Sequence, residues 1–385
     1  MKLRFIISGA IALGMLAPGT LALAQNVPAQ FVVSGKAAEQ IHDFTTINLA
    51  TAERIAETCE RLAAAEGVAI SVMVLDNDGN HVYMDRMDGQ GYLNIVTADM
   101  KARTALLGRE PSKTRMNRVI QDPNQELQQI QLGLFTNSGG LPIIVNNQMI
   151  GAVGVGGSAP RVPVWSDEIC AHKALVQVIG TSVPPLVEDL PPRQNPARGN
   201  APVPRFTPAA PPKPSLPAEF VINPKAAASV FDANQLSLAA ARKIARVCRD
   251  WAAARGGSMS LYIINTAGEF IHMERMDGQV FNNIRTALLK AQTSLRTRQP
   301  TSIRAAQLRN DPSGLPRSTM YFDLFTNSGG IPIVVDGQMI GAIGVGGGAG
   351  GGGDENCAVE GLKAVFGDRV TLPVYPAASA ANSGR

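Results

Sequence analysis

The chain has 385 residues, 45% hydrophobic and 17% charged, which is enough material for more than one packed core. Lysine and arginine number 35 against 31 acids, a net charge of +4. A balance so near neutral gives no electrostatic case for nucleic acid or for an anionic membrane surface.

The first residues read as a secretory signal over 1–24. Lys2 and Arg4 form the charged start, Phe5 to Ala17 the apolar stretch, and Ala22-Leu23-Ala24 the cleavage site before Gln25. The apolar run is short for a spanning helix and no stop-transfer charges follow, so no membrane span is expected after its removal. Losing two cations and no acids lowers the charge from +4 to +2. The expected mature protein is periplasmic or secreted.

From residue 28 the elements follow in order. Leu49 to Ala65 carries an apolar stripe through Ala52, Ile55, Ala56, Cys59 and Leu62, which predicts an amphipathic helix stopped by Gly67. Ala69 to Leu75 is a β-rich run, Asn77 to Asn80 a turn, and His81 to Met84 the returning strand. Ile95 to Leu107 reads as a helix. Pro142 to Val145 and Gln148 to Val155 form a second hairpin, and Asp167 to Ile179 a closing helix with acids in its first turn. Hairpins force antiparallel neighbours, so the pattern is an α+β domain with helices packed on an antiparallel sheet.

The chain then repeats itself. Arg86-Met87-Asp88-Gly89-Gln90 returns as Arg275 to Gln279, and Leu134-Phe135-Thr136-Asn137-Ser138-Gly139-Gly140 as Leu324 to Gly330. The offset is 189 residues through most of the repeat, 190 at the glycine motif and 187 at the last helix. Two domains, 28–181 and 217–376, are joined by a linker over 182–216 that holds eleven prolines. In the second copy the hairpin turns at Asp336-Gly337, a type I′ signal. Gly346 to Gly353 reads as a low-complexity substitute for Ser158 to Trp165.

The four cysteines follow the duplication. In an exported chain this suggests one disulfide per repeat, Cys59–Cys170 and Cys248–Cys357; the alternative is four small buried residues on helix faces.

The shared polar residues are the candidates for chemistry. Gly139-Gly140 and Gly329-Gly330 place side-chain-free backbone beside a strand, either to offer amides to an anion or to permit bends and close approach. Arg86 with Asp88, and Arg275 with Asp277, would clamp an anionic ligand or tie a strand end to a loop. Lys101 and Lys290, on an otherwise small and apolar helix, would bind an anion or form a Schiff base if desolvated, or else snorkel to water.

These motifs, together with Ile150 to Val155 and Asp167-Glu168, resemble the GlcG/HbpS family, often labelled haem-binding or haem-degrading. The resemblance covers nearly all the mature chain outside the linker. It implies two profilin-like domains, each a five-stranded antiparallel sheet flanked by helices, commonly assembled into higher oligomers, with haem as a possible cofactor. Histidine complicates the label. His42, His81, His172 and His272 align with Phe231, Phe270, Val359 and Tyr83, so a histidine-ligated haem cannot occur twice in one geometry. The conceivable haem ligands are His81, His272 and Tyr83; the two histidines stand two residues apart in register and are expected on the same strand face.

Three functional readings follow. The first is an exported protein that binds a small molecule, haem or a related anion, between the glycine-bearing hairpin and the helix of Lys101. The second is an enzyme of small organic acids in which Lys101, Arg86 and Asp88 bind substrate and the Gly139-Gly140 amides form an oxyanion site. The third is a ligand-free assembly module. The tandem copies are expected to pack as a pseudo-dimer or to form a homo-oligomer.

Overall fold

The computed structural model describes residues 27–41, 43–158, 164–180, 183–191, 213–230, 232–310, 323–348 and 353–373. The expected signal segment, His42, Phe231, Ser182 and 192–212 of the linker, and residues 349–352 of the glycine-rich run lie outside them.

The first repeat runs α1 (Gly35–Ile41), α2 (Leu49–Ala65), β1 (Ser71–Asp76), β2 (His81–Arg86), α3 (Tyr92–Gly108), α4 (Ser112–Gln121), α5 (Gln125–Gln131), β3 (Gly140–Val145), β4 (Gln148–Gly156) and α6 (Asp167–Val178). The second runs α7 (Pro224–Val230), α8 (Leu238–Ala253), β5 (Ser260–Ile264), β6 (Phe270–Arg275), α9 (Phe281–Thr297), α10 (Thr301–Arg309), β7 (Gly330–Val335), β8 (Gln338–Gly346) and α11 (Gly353–Phe366). Helix α2 has the expected bounds. Helices α4 and α5 have no counterpart in the sequence reading, because SKTRMNRVIQ and QELQQIQ carry too few apolar residues to mark a buried face.

All strands join one antiparallel sheet of order β3-β4-β1-β2-β6-β5-β8-β7. Each repeat contributes four strands among the described residues where the resemblance implies five, with further pairing limited to isolated bridges such as Val32 with Ile47. The halves meet where β2 pairs with β6, Tyr83 opposite Glu274, Met84 opposite Met273 and Asp85 opposite His272. Met84 and Met273 are equivalent residues, so a local two-fold passes between them.

Helices cover both faces of the sheet, so β1 and β5 are buried at every residue and read as apolar runs rather than alternation. On one face each repeat keeps its own core, built around Ile55, Val72 and Leu175 in the first and Ile244, Leu261 and Leu362 in the second. On the other, Met73, Met84, Ala98 and Ala102 pack in one continuous cluster with Tyr262, Met273, Ala287 and Ala291.

The hairpin turns have the expected geometry. Asp336 and Gly337 have φ of 50° and 78°, and Asn146 and Asn147 of 50° and 65°, as a type I′ turn requires. Cys59 is bonded to Cys170 and Cys248 to Cys357, with Cα–Cα distances of 5.3 and 4.5 Å. Each disulfide ties the first long helix of its repeat to the last. Among the described residues no helix is long and apolar enough to cross a membrane.

Candidate functional site

The duplicated glycines are explained first by packing. A Cβ on Gly140 would overlap the carbonyl of Lys101, and one on Gly154 the carbonyl of Ala98, so β3 and β4 lie directly on the backbone of α3. Gly139 has φ +120°, and a Cβ there would stand 2.7 Å from both Asp167 Cβ and Val155 O. The Gly140 N–H donates to Ser112 Oγ at 2.9 Å, and Gly330 N–H to Thr301 Oγ1 at 2.9 Å. Those two amides are therefore engaged and not open to an anion.

This close approach places Lys101. Its side chain is 4% exposed, and Nζ donates to Val155 O at 2.9 Å and to Asp167 Oδ2 at 2.7 Å. Asp167, in the first turn of α6, accepts on its other oxygen from Ser158 N–H at 3.0 Å and Ser158 Oγ at 2.5 Å. The second repeat rebuilds the pair, with Lys290 Nζ on Val345 O at 2.8 Å and Asp354 Oδ2 at 2.7 Å. An ammonium has three protons, and among the described residues two find partners in each copy.

A cleft of about 550 Å³ opens over Lys101 and Asp167, walled by Asn94, Thr97, Met116, Asn137, Ser138 and Ser158. Asp189 of the linker reaches its edge, where it pairs with the buried Lys113, itself 3.4 Å from Glu168. The copies differ there: Ser302 replaces Lys113, and its hydroxyl donates to Glu355 at 2.7 Å. The sequence marks Asp167 only as a first-turn acid and part of a shared motif, not as a site residue, and does not mark Asn94 or Thr97. Each has an identical partner in the second copy (Asp354, Asn283, Thr286), and that repetition was the available signal.

The arginines and aspartates of the shared motif lie elsewhere, at the seam between repeats. Asp88 Oδ1 accepts the N–H of Leu238 at 2.8 Å, and Asp277 Oδ1 that of Leu49 at 2.8 Å, so each caps the long helix of the other repeat. Burial raises both carboxyls against these amide bonds. Arg86 donates from Nε to Phe270 O at 2.7 Å and lies 3.7 Å from Glu269, while Arg275 pairs with Asp76 at 2.9 Å. Arg86 and Asp88 thus reach separately across the seam, and none of the four lines the Lys101 cleft.

Tyr83 and His272 are each 1% exposed, their rings 5.4 Å apart in the seam. His272 Nδ1 bonds Asp85 Oδ1 at 2.5 Å, and Nε2 lies 3.7 Å from Glu274. Burial pulls this imidazole down, but Asp85 and then Glu274 override it and hold it at about 9. Tyr83 is pushed far above an ordinary phenol by burial and by Asp85. His81 does not share their face. A β-bulge lets Leu75 pair with His81 while Val74 pairs with Tyr83, which breaks the alternation. His81 therefore turns toward α3, with Asp99 Oδ1 at 3.2 Å and Tyr262 Oη at 2.7 Å. Among the described residues no group of three or more His, Cys, Asp or Glu could hold a metal ion.

The chain is similar to several known proteins. An uncharacterised 15.0 kDa protein of the dhaT-dhaS intergenic region of Citrobacter freundii is 34% identical over 134 residues, which is 34% of this chain and 90% of that protein. Protein GlcG of Escherichia coli K12 is 36% identical over 88 residues, 23% of this chain, and the match spans 63% of GlcG. Among solved structures, protein ORFY of Klebsiella pneumoniae is 33% identical, covering 34% of this chain and 90% of its own with a TM-score of 0.31. HbpS is 29% identical, covering 36% and 92% with a TM-score of 0.32. The family model for haem degrading protein HbpS-like matches at residues 47–176 and again at 236–363. This chain belongs to the HbpS-like family and carries the family domain twice.

Proposed function

We propose that the protein is an exported small-molecule binding protein whose site is the Lys101 cleft, and that its ligand is small, polar and rich in oxygen acceptors. The observation that carries this is the third proton of Lys101, which has no partner among the described residues beyond Val155 O and Asp167, at the floor of a cleft walled by amides and hydroxyls. Its volume of about 550 Å³ falls in the range of small-ligand sites. With Asp167 beside it the lysine is compensated, which favours a neutral or singly anionic ligand over a polyanion. Export is supported by the signal-like residues 1–24 and by the two disulfides.

The family description points to haem as a second ligand. The cleft does not fit an iron-ligated porphyrin. Its described lining offers Met116 as the sole residue of iron-ligating type besides the engaged Lys101, and no aromatic face to stack on a macrocycle. Tyr83 and His272 are closed within the seam.

The test is differential scanning fluorimetry of the chain lacking residues 1–24, against small hydroxy acids and polyols, with hemin absorbance as a separate arm. At least one panel compound should raise the melting temperature, and Lys101→Met should abolish that rise while keeping the native far-UV spectrum. No stabilising compound, or an unchanged response in Lys101→Met, would overturn the reading. A shifted Soret band that survives in Lys101→Met would place haem elsewhere.

A further inference from the structure

Of four positions that lie together at the local two-fold, three differ in chemistry between the two copies and the fourth keeps a carboxylate. Glu53, Glu60 and Tyr83 of the first repeat become Arg242, Arg249 and His272 in the second, while Asp85 becomes Glu274. The two-fold brings each position against the other member of the set. Across the seam Arg242 meets Glu60 at 2.5 Å and also pairs with Asp85, while Arg249 meets Glu53 at 3.2 Å and, within its own repeat, Glu274 at 3.0 Å. His272 completes the arrangement on Asp85.

We propose that this seam is a charge-coded interface whose partner must be an unlike repeat, from the same chain or from a second copy of it. Two first repeats joined in the same way would set Glu53 against Glu60 twice, beside two copies of Asp85, and gather six acids, four of them buried, with no cation from the set. Two second repeats would set Arg242 against Arg249 twice. Only the unlike pairing balances the set, since the like pairings leave either six acids with no cation or four arginines over two glutamates, and uncompensated charge in such a seam is strongly unfavourable. The backbone pairing of β2 with β6 carries no such preference, since its pattern is nearly symmetric about Met84 and Met273. Selectivity therefore lies in the side chains.

The test uses the full chain with a protease site placed within residues 192–212 and cut after folding. Light and isotope-heavy preparations are mixed and followed by native mass spectrometry. Unlike pairs only should form. Arg242→Glu with Arg249→Glu should weaken the association at least about a hundred-fold. Adding Glu53→Arg and Glu60→Arg should bring it back to within about ten-fold of the parent, since Asp85 and Glu274 again adjoin an arginine. If the two-site variant fails to fold, recovery of folding by the four-site reversal is the same result. Like pairs in comparable amount, an unaffected two-site variant, or a four-site reversal that recovers nothing would each overturn the proposal.

Discussion

Asp277 holds the N–H of Leu49, at the start of α2, although the two residues belong to different repeats. Asp88 does the same for Leu238 at the start of α8. Asn48 and Ser237 already cap Thr51 and Ala240, so the aspartates satisfy a second exposed amide at each helix end. Losing a cap of this kind costs about 1 kcal/mol. Asp88→Ala and Asp277→Ala should each lower stability by that much, read from the urea midpoint. Their effects should add, because each caps a different helix. An unchanged midpoint in both variants would contradict the cross-repeat capping.

His272 makes the seam sensitive to base. Its folded pKa of about 9 lies above the ordinary 6.5, so protonation stabilises the folded form. That contribution is complete below about pH 6.5 and disappears as pH rises through about 9. Asp85, lowered by His272 and Arg242 in spite of its burial, stays charged over that range. Denaturant midpoints taken between pH 6 and 10 should fall across this window, and His272→Phe should flatten the slope. A parent curve that is flat there would rule the coupling out.

Each disulfide closes a long stretch, 111 residues in the first repeat and 109 in the second. Replacing both cysteines of either pair by alanine should cost about 2–5 kcal/mol, measured by urea unfolding under non-reducing conditions. Reduction of the parent should reproduce the sum of the two losses.

Glycines separate sharply by position. Gly154→Ala drives a Cβ into the Ala98 carbonyl of α3 and should destabilise by several kcal/mol or prevent folding. Gly91→Ser, at the open start of α3 with φ −68° and no neighbour within 4 Å of an added Cβ, should shift stability by no more than a few tenths. Thermal melts of the two variants give the comparison directly.

Much of this molecule is legible in its sequence. Periodicity places α2 residue for residue, the Asp336-Gly337 turn fixes a hairpin, and the matching cysteines fall in pairs. Local signals suffice there because helix stripes, tight turns and duplicated positions are set by near neighbours in the chain. The face of His81 was not legible in this way. Alternation along the strand puts it with His272, and a bulge formed only by pairing with β1 turns it to the other side.

By itself the sequence determined the duplication, the α+β class and the residues both copies must keep. Tertiary structure decided what those residues are for. Arg86, Asp88, Arg275 and Asp277 look like a ligand clamp in one dimension, yet they tie the two repeats together, because a two-fold brings each motif against the other copy. Lys101 and Asp167 lie 66 residues apart and meet because glycines let β3 and β4 settle on α3. Such contacts depend on how separate elements pack, and no local pattern encodes that distance.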